Sequence, residues 1–126
     1  MPAKILIVDD YADTRELLRL MLEAAGHHVC EAEDGHAGLE MAQTEMPDLI
    51  LADLSMPQLD GWGLLRELRA GERTRRIPCV AVTAFVDRER GRNFPHSFDA
   101  YLPKPFRRAE LLEMVERLLA EHPHKV

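Results

Sequence analysis

The sequence predicts an α/β fold, in which a doubly wound sheet of five parallel strands, in the order 2-1-3-4-5, carries helices on both faces. Across 126 residues, five short apolar segments alternate with five stretches of helical periodicity, and the connections between them are short. The first, third and fourth apolar segments are nearly uninterrupted, as in strands buried on both faces, which places them at the centre of the sheet. The second and fifth are partly polar, which places them at its edges.

Each element has its own local signal. Strands are predicted at residues 4–8, 28–32, 47–53, 78–83 and 99–105, and helices at residues 12–25, 35–45, 62–71, 87–94 and 109–121. The first helix ends before Gly26, the residue type that most readily adopts the left-handed conformation of a helix C-terminus, and Pro47 closes the second. The fourth helix is predicted to be short because its segment is charged, contains Gly91 and runs into Pro95.

The composition is that of one soluble globular domain, residues 1–126 with a polar tail at 122–126, because 46% of the residues are hydrophobic and 30% are charged. No apolar stretch is long enough to cross a bilayer and no signal sequence precedes the first strand, so we expect a cytoplasmic protein without a membrane partner. The net charge of −6 argues against a nucleic-acid partner. Cys30 and Cys79 are interpreted as core residues, and none of the six histidines is interpreted as a ligand.

Polar side chains follow four of the five strands at the points where those strands end. Asp9 and Asp10 follow the first strand, Asp53 ends the third, Thr83 ends the fourth and Lys104 lies near the end of the fifth. The carboxyl ends of parallel strands meet at one edge of the sheet, where ligands bind in open α/β folds. Capping of the following helix could explain one aspartate but not an adjacent pair. We therefore expect these five residues to form one site.

The chemistry of this site follows from its charges. Three clustered carboxylates repel one another and so attract a cation. Mg²⁺ prefers oxygen ligands and keeps several waters, which suits two or three carboxylates and a loop carbonyl. With the metal bound, a phosphoryl group could be neutralised by Mg²⁺ and Lys104 and hydrogen-bonded by Thr83 while a carboxylate oxygen attacks phosphorus. The predicted product is an acyl phosphate.

Four segments resemble the motifs of a known family. They are Ile7-Val8-Asp9-Asp10, Asp53-Leu54-Ser55-Met56-Pro57 with Asp60-Gly61, Thr83-Ala84, and Tyr101-Leu102-Pro103-Lys104-Pro105-Phe106. Over nearly its whole length the chain resembles the receiver domain of two-component response regulators, in particular the single-domain regulators of chemotaxis. The resemblance implies a flavodoxin-like (βα)5 fold and phosphorylation of Asp53 by a histidine kinase or a histidine phosphotransfer protein.

The resemblance also implies roles for individual residues. The implied Mg²⁺ ligands are Asp9, Asp10, Asp53 and the backbone carbonyl of Ser55, and the implied phosphoryl-binding residues are Thr83 and Lys104. The Lys104–Pro105 peptide bond is implied to be cis. Phosphorylation would draw Thr83 towards Asp53, and Tyr101 would swing inward to fill the space. Composition alone favours instead an edge tyrosine with its hydroxyl in water.

The resemblance also implies a partner surface and two positions that affect how fast the phosphate is lost. The implied partner surface consists of Tyr11, Thr14, Arg15 and Leu18, and the positions implied to tune the loss of phosphate are Ser55 and Phe85. Between Thr83 and Lys104 the chain is slightly shorter than the common family pattern, so the output surface around the fourth helix is expected to differ in shape. We predict raised mobility from Arg88 to Ser97.

The preferred interpretation is a stand-alone receiver that binds an unknown downstream protein, as a monomer or as a phosphorylation-dependent dimer. The chain could instead be a receiver fragment of a larger regulator, or an interaction module that keeps the fold without phosphorylation, although the intact acidic residues oppose the latter. An enzyme with an aspartyl-phosphate intermediate would need an acid two residues after the nucleophile, where this chain has Ser55. A nucleotide site is not predicted because no glycine-rich phosphate loop is present.

Overall fold

Five parallel strands form a single sheet in the order β2-β1-β3-β4-β5. The structure is a computed structural model, and it describes residues 2–56, 58–84 and 98–121. The strands are β1 (Lys4–Val8), β2 (His28–Ala32), β3 (Leu49–Ala52), β4 (Cys79–Thr83) and β5 (Ala100–Pro103), and the helices are α1 (Ala12–Ala24), α2 (Gly35–Glu45), α3 (Gly61–Ala70) and α4 (Arg108–Glu121). The predicted fold class and strand order are confirmed.

The helix α4 corresponds to the last of the five predicted helices. The predicted fourth helix at residues 87–94, the mobility predicted from Arg88 to Ser97, the position of Phe85 and the polar tail at 122–126 lie outside the described residues. The other predicted elements are present, with ends that differ from the predicted ends by a few residues.

The sheet separates two hydrophobic cores, because successive side chains of a strand point to opposite faces. On one face, Ile5 and Ile7 pack with buried leucines and a valine of α1 and α4. On the other face, Leu6 and Val8 pack with buried residues of α2 and α3, including Trp62. The three central strands are buried, except for Lys4 at the start of β1, as their apolar sequences predict. This packing on both sides makes the sheet a rigid base for the loops at its carboxyl edge.

A buried histidine lies at the opposite edge of the sheet. His27 is only 5% exposed, and its Nδ1 accepts a hydrogen bond of 3.1 Å from the Ala3 backbone N–H. The ring proton is therefore on Nε2, which lies 3.9 Å from Oε1 of Glu116 on α4, too far for a hydrogen bond. Burial lowers the pKa of His27 below its ordinary value of 6.5, aided by the amino terminus, while the carboxylates of Glu116 and Asp48 oppose the shift.

The free energy of unfolding is expected to fall as the pH drops below 6.5, because the unfolded chain takes up the His27 proton before the folded chain does. Because the folded-state pKa is lowered, the contribution of neutral His27 to stability is present above pH 6.5 and is lost as the pH falls towards the folded-state pKa. The slope of the free energy of unfolding against pH is at most about 1.4 kcal/mol per pH unit. Denaturant unfolding between pH 7.5 and 5 measures it. His27→Asn should lose this slope, whereas His28→Asn, at the exposed neighbouring histidine, should retain it. An unchanged slope in His27→Asn would refute the assignment.

Candidate functional site

The residues that follow the strands are held by hydrogen bonds that continue the ladders of the sheet. The Asp9 N–H donates to the carbonyl of Ala32, the last residue of β2, at 3.1 Å. The Asp53 N–H donates to the carbonyl of Val8 at 3.0 Å. Each aspartate therefore has a backbone as ordered as the strand before it, which places the two carboxylates side by side beyond β1 and β3.

Lys104 is held at the same edge of the sheet in the same way. Its N–H donates to the carbonyl of Thr83 at 2.9 Å, so it begins where the ladder between β4 and β5 ends. The Lys104–Pro105 peptide bond is cis, which confirms what the family resemblance implies. The side chain then extends across the carboxyl ends of β4 and β3 towards the aspartates.

Lys104 joins the two aspartates electrostatically. Its Nζ lies 3.3 Å from Oδ2 of Asp9 and 3.5 Å from Oδ2 of Asp53. Both aspartates are buried, at 2% and 6% exposure, whereas Asp10 beside them is exposed. Burial raises the pKa of Asp9, and the nearby Asp53 carboxylate adds to the effect, while the Tyr11 N–H and the Lys104 ammonium oppose it. The buried negative charges are thus only partly compensated by the chain itself.

The three carboxylates fit a small divalent cation. One oxygen from each of Asp9, Asp10 and Asp53 can be chosen so that all three lie within 4.8 Å of one another. Two ligands on opposite sides of Mg²⁺ are about 4.2 Å apart, so the spacing of these oxygens is close to that of a Mg²⁺ ligand set. The Ser55 N–H donates to Oδ1 of Asp53 at 3.1 Å, and the part of its carbonyl in metal binding stays a prediction.

A glycine keeps the loop after β3 close to the helix that follows it. A Cβ atom built on Gly61 would overlap the carbonyl oxygen of Asp53 and the Cα of Leu54. The Gly61 N–H donates to the Leu54 carbonyl at 3.1 Å, and Asp60 caps α3 by accepting from the Gly63 N–H at 2.9 Å. The sequence motif Asp60-Gly61 therefore has a physical reason: α3 begins directly against the backbone that carries Asp53.

The two predicted switch residues lie on neighbouring strands. Thr83 is 2% exposed and ends β4, two residues after Ala81, the partner of Ala52 in β3. Tyr101 lies on the edge strand β5, but its ring packs 5.8 Å from the ring of Phe98 and 6.4 Å from that of Trp62. Burial raises the pKa of Tyr101. Its ring therefore belongs to an aromatic cluster, and the interpretation of Tyr101 as an edge tyrosine in water does not describe this packing.

The predicted partner surface on α1 is only partly exposed. Tyr11 is 65% exposed, whereas Thr14 and Arg15 are half-buried. The inclusion of Leu18 was wrong, because Leu18 is 1% exposed and packs in the core between α1, α4 and the sheet. The helical periodicity that identifies Leu18 as apolar is the same pattern that turns it inwards. The large apolar residues of α1 that do face solvent are Leu17 and Leu20.

Two contacts of this site were not foreseen from the sequence. Arg15 donates from Nη1 to the Asp9 carbonyl at 2.7 Å and from Nε to Oε1 of Glu31 at 3.2 Å. The only local signal for them is a glutamate in an otherwise mostly apolar edge strand.

Among the described residues, no helix has the length and apolar character needed to cross a membrane.

Comparison with known proteins identifies the same receiver family that the sequence motifs resemble. The family model described as "Response regulator receiver domain" matches residues 5–116. The protein PilH from Pseudomonas aeruginosa is 38% identical over 120 residues, which make up 94% of this chain and 98% of that protein. The transcriptional regulator RpaA from Synechocystis is 39% identical over 117 residues, 92% of this chain but 48% of that protein. The chain thus spans nearly the whole of one relative and about half of the other.

A solved structure has the same fold. The receiver domain of a sensor histidine kinase from Pseudomonas aeruginosa is 34% identical to this chain, with a TM-score of 0.86 and coverage of 95% of this chain and 99% of that domain. That domain holds a magnesium ion in its active-site cleft. From the family match, the strand order and the acidic edge of the sheet together, the chain belongs to the response regulator receiver domain family.

Proposed function

We propose that Asp53 is the phosphoryl acceptor of this receiver and that a histidine kinase or a histidine phosphotransfer protein is the donor. The observation that carries this proposal is the cluster of Asp9, Asp10 and Asp53 with Lys104 bridging two of its members. Asp53 is the central carboxylate by position, since β3 lies in the middle of the sheet. In this proposal residues 1–126 form a single receiver domain.

Each residue of the site has a separate role in the phosphoryl transfer. An Asp53 oxygen forms a bond to phosphorus while the bond between phosphorus and the donor imidazole breaks, and the product is an aspartyl phosphate. The Lys104 ammonium, already within 3.5 Å of Asp53, is close enough to turn to a phosphoryl oxygen. Asp10, Asp53 and the Ser55 carbonyl would hold Mg²⁺, with Asp9 assisting, and the bound ion would neutralise phosphoryl charge.

The phosphorylated form differs from the free form in charge and packing. The new group adds about −1.5 to −2 charge beside the end of β4, and the Thr83 hydroxyl can donate a hydrogen bond to it. Movement of Thr83 leaves space that an aromatic side chain can fill. Tyr101 is the candidate, and its contacts with Trp62 and Phe98 make that cluster the part of the core that has to rearrange with it.

The partners in this proposal are proteins, and the chain acts as a cytoplasmic switch without steady enzymatic turnover. The phosphoryl donor docks on the α1 end of the site, where Tyr11 and Thr14 lie next to the exposed Leu17 and Leu20. An apolar patch that is rimmed by polar residues is typical of a protein interface. The downstream protein recognises the phosphorylated form, either as a monomer or as a phosphorylation-dependent dimer.

Intact-protein mass spectrometry tests the proposal. The chain is incubated with acetyl phosphate, a small-molecule phosphoryl donor, in the presence of Mg²⁺ or of EDTA. We expect the mass to increase by one phosphate with Mg²⁺ and to stay unchanged with EDTA, because without the metal the single charge of Lys104 has to offset both the carboxylates and the arriving phosphoryl group. No increase with Mg²⁺ would overturn the proposal and favour a module that binds without phosphorylation.

A further inference from the structure

We infer that Arg15 is a positioning residue for the acidic site, because its guanidinium holds the peptide group that joins Asp9 to Asp10. This inference rests on the proposed function, in which those two carboxylates serve the metal. Arg15 does not touch either carboxylate in the hydrogen bonds of the described residues. It acts on the backbone between them.

The Asp9 backbone is held on both sides. Its N–H donates into the ladder of β2 at 3.1 Å, and its carbonyl accepts from Nη1 of Arg15 at 2.7 Å. A hydrogen bond of that length from a charged donor is among the stronger kinds in proteins. The Asp9 carbonyl oxygen lies in the plane of the peptide that continues to Asp10. Fixing that plane fixes the direction in which the chain presents the second carboxylate relative to the first.

Asp10 depends on this restraint more than its neighbours do. Asp9 is buried, accepts from the Tyr11 N–H at 2.8 Å and contacts Lys104, so its side chain has its own partners. Asp10 is exposed, so core packing does not orient it. The plane of the preceding peptide is therefore the main restraint on the direction in which the Asp10 side chain leaves the backbone. Preorganised ligands bind a metal more tightly because less conformational freedom is lost on binding.

The edge strand holds Arg15 in the orientation that this contact requires. Nε of Arg15 donates to Oε1 of Glu31 at 3.2 Å, while the other carboxylate oxygen of Glu31 lies 3.2 Å from Nε of Arg19. The side chains of Arg15 and Glu31 are 17% and 32% exposed, so their pairing is partly shielded from solvent. Arg15 thus connects β2 to the acidic loop, whereas Arg19 pairs with the same glutamate and makes no hydrogen bond to that loop within the described part of the chain.

Binding of Mg²⁺ to the unphosphorylated chain, measured by isothermal titration calorimetry, tests the inference. Arg15→Gln keeps a polar side chain but loses the guanidinium that reaches both Asp9 and Glu31. We expect it to weaken Mg²⁺ binding by about 3- to 10-fold, at or below the lower end of the losses seen when an outer partner of a metal site is removed. Arg19→Gln is the matched control, since it removes an ion pair with the same Glu31, and it should bind Mg²⁺ as the wild type does.

Three further measurements separate positioning from a general loss of structure. At saturating Mg²⁺, Arg15→Gln should accept phosphate from acetyl phosphate at a rate within about threefold of the wild type, because the Asp53 backbone is held by Val8 instead. Arg15→Lys keeps the charge on a single donor nitrogen, without the fork that reaches both partners, and should recover part of the lost Mg²⁺ affinity. Thermal unfolding of Arg15→Gln and Arg19→Gln should show similar midpoints.

The outcomes distinguish this inference from the proposed function. Equal Mg²⁺ affinity in Arg15→Gln and the wild type, an equal loss in Arg19→Gln, or a wild-type chain that binds no Mg²⁺ would each overturn the role of Arg15. A wild-type chain that binds Mg²⁺ but takes up no phosphate would overturn the phosphorylation of Asp53 alone. If Arg15→Gln fails to fold, the same comparison is made with Arg15→Lys, and unchanged Mg²⁺ affinity in that variant would again contradict the inference.

Discussion

Asp53→Asn is expected to take up no phosphate from acetyl phosphate under conditions in which the wild type gains one. The carboxamide has nearly the same shape, so it can still accept the hydrogen bond from the Ser55 N–H to the side-chain oxygen. It lacks the anionic oxygen that attacks phosphorus, and it removes one of the three carboxylates of the cation site. The expected effect is therefore a complete loss of modification without a loss of folding, read by intact mass and circular dichroism.

Asp60→Asn is the matched control for this variant. Asp60 lies on the same loop and caps α3 by accepting from the Gly63 N–H at 2.9 Å, and asparagine caps helices about as well as aspartate. It should therefore gain phosphate as the wild type does. A gain of one phosphate by Asp53→Asn, located on another residue by peptide mapping, would show that Asp53 is not the acceptor.

Lys104→Met is expected to slow phosphorylation by about 10²- to 10³-fold, the usual loss when one electrostatic group that stabilises a transition state is removed. Methionine has a similar length and no charge, so the variant mainly removes the ammonium that lies 3.3 Å from Asp9 and 3.5 Å from Asp53. The rate of phosphate gain at saturating Mg²⁺ is the measurement. Lys4→Met, which removes an exposed ion pair with Glu45 at the far end of β1, should leave that rate unchanged.

Mg²⁺ affinity shows how Lys104 acts. Removing a positive charge beside two carboxylates makes the site more negative, so Mg²⁺ should bind at least as tightly to Lys104→Met as to the wild type. A slow rate with retained Mg²⁺ affinity would place the ammonium on the phosphoryl group. A parallel loss of rate and affinity would mean that Lys104 only holds the carboxylates in place, which would contradict its role in transfer.

Much of the candidate site could be predicted from the sequence because its residues lie next to strongly patterned strands. A run such as Lys4–Val8 identifies a buried strand, and the polar residue that follows it must lie at the carboxyl edge of a parallel sheet. That reasoning predicts that Asp9, Asp53 and Lys104 lie at the same edge of the sheet. It depends on which strands are central, and the most apolar segments are the central strands of the observed sheet.

The features that the sequence does not predict are contacts between elements that are distant along the chain and the choice of which face of a helix is buried. The family resemblance implies that Leu18 belongs to a docking surface, but Leu18 shares a helix face with Leu22, which the core buries, and Leu17 is left exposed. The bond from Arg15 to the Asp9 carbonyl also depends on Glu31, 16 residues along the chain.

The sequence by itself determined the alternation of strands and helices, which strands are central and the acidic edge of the sheet, because short-range patterns of apolar and polar residues decide which segments are buried. Only the tertiary structure decided which side chains meet across that framework: Lys104 with two aspartates, Tyr101 with Trp62 and Phe98, and Gly61 with the backbone of Asp53. Such contacts depend on distances of a few ångströms between separate elements, and those distances are set by packing rather than by any local sequence pattern.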